Sequence, residues 1–480
     1  MTPLLAALLG YLALQLGIGA WASRRVRSED DYLVAGRSLG PGLATFSIFA
    51  TWFGAETCIG AAGRAHAEGL SSTSAEPFGY GLCLLVMGVV YAVPLWRRKL
   101  TTLADLYGRR FSPGVERTAA VLLVPGSVLW AAAQIRGFGH VLTTAGGFPT
   151  DGAIALAAGL CILYTVFGGL LADATNDLVQ GVVLTLGLGV LAAGVLLRLG
   201  GPGEAARALA ESAVMARAAG PAPVLSILEA WAIPICGSAL ATELVSRVIA
   251  CRSPEVARRS SLAGGALYLL VGSVPLAVGL LAHRLGFAGA EAEQVLPAIA
   301  RDVLPAAGYV LFAGGLVAAI LSTVDSTLLV ASGLVSHNLL VPAFRVDAQR
   351  TRVRLARAGV AAFGLLAWWL AARARGVFEL VEQASAFGSA GTFVAGTFGL
   401  FTPWGGPRTA LATLLAAPVV YVGGVAAGIE APFLASLGAS LAIYVGGSAL
   451  GRARRGPSAE GAARAPAGGD RAPGPRGAAR

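Results

Sequence analysis

Residues 44–69 read ATFSIFATWFGAETCIGAAGRAHAEG. The stretch is apolar enough to cross a bilayer core, which takes about 20 helical residues. Yet Gly54, Gly60 and Gly63 interrupt it, and it carries Thr51, Thr57 and an ionisable Glu56. Breaks and charge of this kind are tolerated at membrane depth only beside protein or a cavity. A second stretch, ILEAWAIPICGSALATELVSRV at 227–248, has the same character through Pro234, Gly237, Glu243 and Arg247. Two broken spans five helices apart predict the first helices of two five-helix inverted repeats, whose unwound midpoints bind substrate and ion. Packing glycines, common in membrane helices, are the plainer alternative, and the pattern alone leaves both open.

The whole chain fits this setting. Of its 480 residues 56% are apolar and 13% charged, against about 25% charge in soluble domains. That excludes an ordinary soluble enzyme and a disordered chain. Long apolar runs rather than short alternating strands exclude an outer-membrane barrel. The class is an all-α polytopic membrane protein. The net charge of +10 does not form one basic face, so nucleic acid is not an expected partner. The five cysteines stand singly inside apolar runs without metal-ligand spacing.

Apolar runs place thirteen spans near 3–22, 42–65, 77–96, 118–144, 151–170, 179–199, 223–249, 262–283, 303–336, 357–374, 378–402, 408–428 and 432–450. Arg24, Arg25 and Arg27 follow the first span rather than precede it, as in a retained helix. Cations gather in alternate loops, among them Arg97, Arg98, Lys99, Arg109 and Arg110, then Arg252, Arg258 and Arg259. The loops near 66–76, 145–150 and 429–431 carry none. The positive-inside rule then puts the N-terminus outside and the C-terminus in the cytoplasm. Residues 199–222 are an external amphipathic helix by this reading, and 451–480 a disordered cytoplasmic tail.

The ninth span, GGLVAAILSTVDSTLLVASGL at 314–334, puts Ala319, Ser322 and Thr323 on one helical face. Two hydroxyls and a main-chain carbonyl are hard oxygen ligands that suit a small alkali cation. The alternative is that the hydroxyls bond back to their own helix. The residues alone do not choose.

Three strings do. DYLVAGRSLGPGLATFSIFATWFGAETCIGAAG at 31–63, LYTVFGGLLADATNDLVQG at 163–181 and AAILSTVDSTLLVAS at 318–332 resemble, in order and separation, motifs of the sodium:solute symporter family. The resemblance covers spans one to eleven. It implies a LeuT-type fold in a transmembrane domain 1–450, with repeats over about 42–199 and 223–402. It also implies a sodium site built from the carbonyls of Ala50, Phe53 and Ala319 and the hydroxyls of Ser322 and Thr323. Asp177 matches the family's acid beside the sixth span, where it guides sodium release or caps that helix. Ser326, one turn beyond Ser322, is expected to matter less. Asp325 is expected to make a packing hydrogen bond, Arg247 to pair with Glu243, and Arg37 matches the arginine of a G-R-S-L motif.

ATWFG, PFGYGL and LWAAA resemble a choline-transporter-like branch and would place Trp52, Tyr80 and Trp130 around the solute, with Glu56 and Thr57 nearby. Aromatic faces attract quaternary ammonium. That branch's aromatic in the seventh span has no counterpart in PICGSALATELVSR, so the cage is incomplete. Glu56 either neutralises a cationic solute or stabilises the unwound turn. The expected function is sodium-coupled import of a small organic solute at the cell membrane, with no cofactor beyond the coupling ion and no obligatory protein partner. The alternatives are a transporter-like sensor, which needs a soluble signalling domain absent from the short tail, and a proton-coupled symporter. No nucleophile–base or metal constellation suggests an enzyme.

Overall fold

The computed structural model describes residues 24–71, 73–146, 149–218 and 223–453, with isolated positions between 10 and 21. In chain order its helices are α1 (Glu29–Val34), α2 (Pro41–Trp52), α3 (Ala61–Glu68), α4 (Phe78–Arg97), α5 (Ala104–Arg110) and α6 (Pro113–Gly146). There follow α7 (Thr150–Arg198), α8 (Pro202–Ala218), α9 (Val224–Ala232), α10 (Thr242–Ala250), α11 (Pro254–Leu281) and α12 (Val295–Val303). The last six are α13 (Ala306–Val335), α14 (Gln349–Arg373), α15 (Val377–Ala386), α16 (Ser389–Phe401), α17 (Pro407–Ala426) and α18 (Pro432–Ala453).

Among the described residues nine helices are long and apolar enough to span a bilayer, ten when α15 and α16 count as one span bent by 40°. The protein is therefore an all-helical, multi-pass membrane protein. The broken span at 42–65 consists of two shorter halves, and the expected span 151–170 contains the shorter apolar helix Thr150–Leu163. The expected span 3–22 falls largely outside the described residues, so thirteen remains the expected count.

Local chemistry sets several boundaries. Ser28 and Asp31 form a reciprocal capping box at the start of α1. Pro41 and Pro254 occupy first-turn positions, where a missing N–H costs nothing. α7 is two helices joined at Gly169, whose φ of 69° suits a residue without Cβ, and the Tyr32 ring leaves no room for one. The second arm, Gly169–Arg198, begins well before the expected start at 179. Asp173, Asn176 and Asp177 lower the hydropathy there, but all three are buried inside protein rather than exposed to lipid. α11 also starts at Pro254 rather than 262: the exposed arginines 258 and 259 in its first turns hide the helix from a hydropathy reading. α18 continues to Ala453, into the expected tail, whose remainder lies outside the described residues.

α13 is the most buried of the long spans and packs most extensively on α7 and α6. α2 and α10 come together at their ends. Leu39 donates its N–H to the Ala250 carbonyl (3.1 Å), and Arg252 returns one to Leu39 (3.0 Å). Arg37 fastens the same corner through the carbonyls of Ile249 (3.1 Å) and Leu100 (2.9 Å).

Candidate solute and ion site

The two breaks fall where glycine and proline predict them. α2 stops at Trp52, Phe53 leaves helical geometry at φ −97° and ψ 78°, and a wide helical turn resumes over Glu56–Gly60. On the other side α9 runs into a wide turn at Ile233–Gly237, and α10 starts only at Thr242. Gly237 lies so close to the Ser385 carbonyl that a Cβ would collide with it.

α6 satisfies both breaks from one face. Gln134 accepts the Ala55 N–H (2.6 Å) and donates to a Glu56 oxygen (2.6 Å), while Trp130 donates its indole N–H to the other (3.3 Å). About one turn away, Ser127 donates to Glu243 (2.5 Å), and Thr242 adds a second bond at 3.2 Å. Glu56 and Glu243 are thus buried carboxylates, one on each broken helix, held by neutral donors. A cavity lies between α6, the second break and the α15–α16 bend, with Ser127, Trp130, Ser238, Glu243, Ser385 and Ser389 among its lining residues.

Of the expected solute residues, Trp130 lines this cavity. Trp52 meets it edge-on at 5.0 Å between ring centroids, and Tyr80 lies 6.3 Å away with its hydroxyl bonded to Ser385 (2.9 Å). Thr57 goes elsewhere, pairing with the Tyr268 hydroxyl (2.7 Å), which donates to the buried Glu76 (2.6 Å). Glu76, Tyr268 and Gln134 were not singled out from the sequence. Their partners lie 78 to 211 residues away, beyond any local pattern.

Of the expected ion-site residues, Thr323 on α13 reaches the end of α2. The Thr323 hydroxyl lies 3.1 Å from the Thr51 carbonyl and 3.3 Å from that of Ala319. The Ala50 carbonyl shares the Phe53 N–H (3.3 Å) with the Phe49 carbonyl (3.0 Å) at the end of the helix. Ser322 donates to Asp177, which also accepts from Ser47 (2.5 Å). Hydroxyl, carbonyl and carboxylate oxygens thus meet between α13, α2 and α7.

Several expectations need correction. Asp177 sits inside the second arm of α7, eight residues past its start, so it caps no helix. Arg247 does not pair with Glu243. Its fully buried guanidinium ion-pairs with Asp173, lies 3.8 Å from Asp177 and donates to Ser326, Thr51 (3.0 Å) and Ser246 (2.9 Å). Ser326 is therefore part of a charged network rather than a bystander. Asp325 is buried beside it, and neither of its oxygens makes a hydrogen bond of good geometry.

Residues 32–416 match the model of the sodium:solute symporter family. The high-affinity choline transporter 1 of Drosophila melanogaster is 25% identical over 395 residues, which is 78% of this chain and 63% of that protein. The sodium/proline symporter of Escherichia coli (strain K12) is 27% identical over 417 residues, 81% of either chain. A solved Na+-coupled sialic acid symporter, substrate-bound and outward-open, superimposes with a TM-score of 0.81 at 17% identity, covering 94% of this chain and 98% of that one. The chain belongs to the sodium:solute symporter family and shares the LeuT-type fold of that structure.

Proposed function

We propose that the protein imports a small organic solute across the cell membrane by coupling it to sodium entry, and performs no covalent chemistry. The observation that carries this is the Thr323 hydroxyl, which joins the Ala319 carbonyl of α13 to the Thr51 carbonyl near the end of α2. Sodium is held there by the carbonyls of Ala50, Phe53 and Ala319 and the hydroxyls of Ser322 and Thr323. Binding between two helices on opposite sides of the broken span links the ion to the conformation of that span, and so to the solute cavity beside it. Asp177, bonded to Ser322, lies on the ion's path. The fold divides into repeats at about 42–199 and 223–402, with the N-terminus outside and the C-terminus in the cytoplasm.

Uptake into proteoliposomes under an imposed sodium gradient tests this. Transport should follow external sodium, and a folded Ser322→Ala/Thr323→Ala variant should need about thirtyfold more, each lost hydroxyl costing about 1 kcal/mol. Wild-type sodium dependence in that variant would overturn the site. Uptake that follows a proton gradient instead, or solute binding without any uptake, would replace sodium symport by proton coupling or by a sensor.

A further inference from the structure

We infer that Glu243 is the residue that selects the solute, and that the solute presents a protonated amine bearing N–H groups rather than a quaternary ammonium. The inference rests on the proposed uptake of a small solute through this cavity.

Glu243 lines the cavity, is only 3% exposed, and accepts bonds from Ser127 (2.5 Å) and Thr242 (3.2 Å). A carboxylate has about four acceptor sites, so its hydrogen-bonding capacity is not filled. The cation that its sequence position offers, Arg247 one turn on, is turned away to Asp173 and Asp177. A buried carboxylate held only by neutral hydroxyls is costly, and a cation arriving from the cavity relieves that cost. Burial within a spanning segment makes the same point: such groups mark solute or ion pathways.

The rest of the wall says what kind of cation. Ser127, Ser238, Ser385 and Ser389 offer hydroxyl oxygens beside the Glu243 carboxylate, and Trp130 and Phe387 offer two rings. Trp52 and Tyr80 pack against Trp130 behind the wall, and the Tyr80 hydroxyl is already bonded to Ser385. A quaternary head has no donors and is held by several converging aromatic faces. Here it would leave the unfilled acceptor sites of Glu243 without a donor. A protonated primary or secondary amine instead supplies two or three charge-assisted donors.

The test uses probe pairs that differ only in N-methylation: ethanolamine with choline, glycine with glycine betaine, and proline with its N,N-dimethyl analogue. Binding to the purified full-length protein in sodium is read by thermal shift and by competition for uptake. At least one N–H-bearing probe should bind about tenfold or more tightly than its quaternary partner. Glu243→Gln should abolish that preference, and Ser127→Ala should weaken it, while the sodium-induced thermal shift measured without solute stays as in the parent. Preference for the quaternary members, no binding of any N–H-bearing probe, or an unchanged preference in Glu243→Gln overturns the inference. If Glu243→Gln does not fold, the selectivity of the parent protein decides alone. Loss of the sodium effect with the N–H preference intact would refute the sodium site and leave this inference standing.

Discussion

Two buried acidic regions lie a short distance apart and are built on opposite plans. In one, Asp173 and Asp177 share the guanidinium of Arg247, and Ser47, Ser322 and Ser326 donate to them as well. In the other, Glu56 and Glu243 have an indole, an amide and hydroxyls, but no cationic side chain. A region that carries its own counter-ion needs no charge from the solute. A region of carboxylates held by neutral donors is completed by one. The difference separates what holds α7, α10 and α13 together from what binds solute.

Arg247→Met tests the first plan most severely. Removing one partner of a buried ion pair leaves uncompensated charge and costs about 3–5 kcal/mol, so the detergent-solubilised variant should melt far below the parent. Adding Asp173→Asn should recover part of the loss. Glu243→Gln should leave the melting temperature nearly unchanged, and an equal fall in both would erase the distinction.

The tryptophans sharpen it. Trp52 is buried behind the cavity wall and Trp130 is part of it. Trp52→Ala should cost about 3 kcal/mol of stability as a lost core ring. Trp130→Ala should also raise the apparent solute constant about tenfold while protein still reaches the membrane. A Trp52 variant that loses solute affinity as strongly as the Trp130 variant would move the wall.

The smallest effect lies outside the spans. Burial alone would raise the Glu29 carboxyl, but bonds and charge from His337 (3.1 Å) and Arg352 (3.0 Å) outweigh it and hold it below its ordinary value. A depressed carboxyl adds stability above its unfolded value near 4.5, and that stability drains away as the pH falls through the folded value. Glu29→Gln should therefore lower the melting temperature at pH 7 by about 1–2 °C and converge with the parent in acid. A constant offset at all pH values would assign the loss to packing.

The sequence carried the breaks and the ion face because both are local. Gly54, Pro234 and Gly237 interrupt apolar runs, and Ala319, Ser322 and Thr323 share a face by helical spacing alone. It failed where geometry is set by distant partners. Glu243 and Arg247 stand four apart on α10, a spacing that suggests pairing, yet Arg247 reaches Asp173, 74 residues away in the chain. Asp173 and Gln134 give no periodic signal, since each acts through contacts with segments distant in the chain. Hydropathy likewise misplaced the starts of α11 and the second arm of α7, because it counts polar residues as boundaries whether they face water or protein.

The corner where Leu39 meets Ala250 and Arg252, with Arg37 stitched across it, also has a mechanical meaning. α2 and α10 run from that corner to the two breaks as stiff rods of 12 and 9 residues, about 18 and 14 Å long. Each break is a pivot, and the corner is a pin between the free ends. A pinned pair of rods has one coordinate of swing where two separate rods have two. Any tilt of α2 that opens the ion site must therefore drag α10, and with it the cavity wall that carries Glu243. Release of the ion and release of the solute become steps along a single motion.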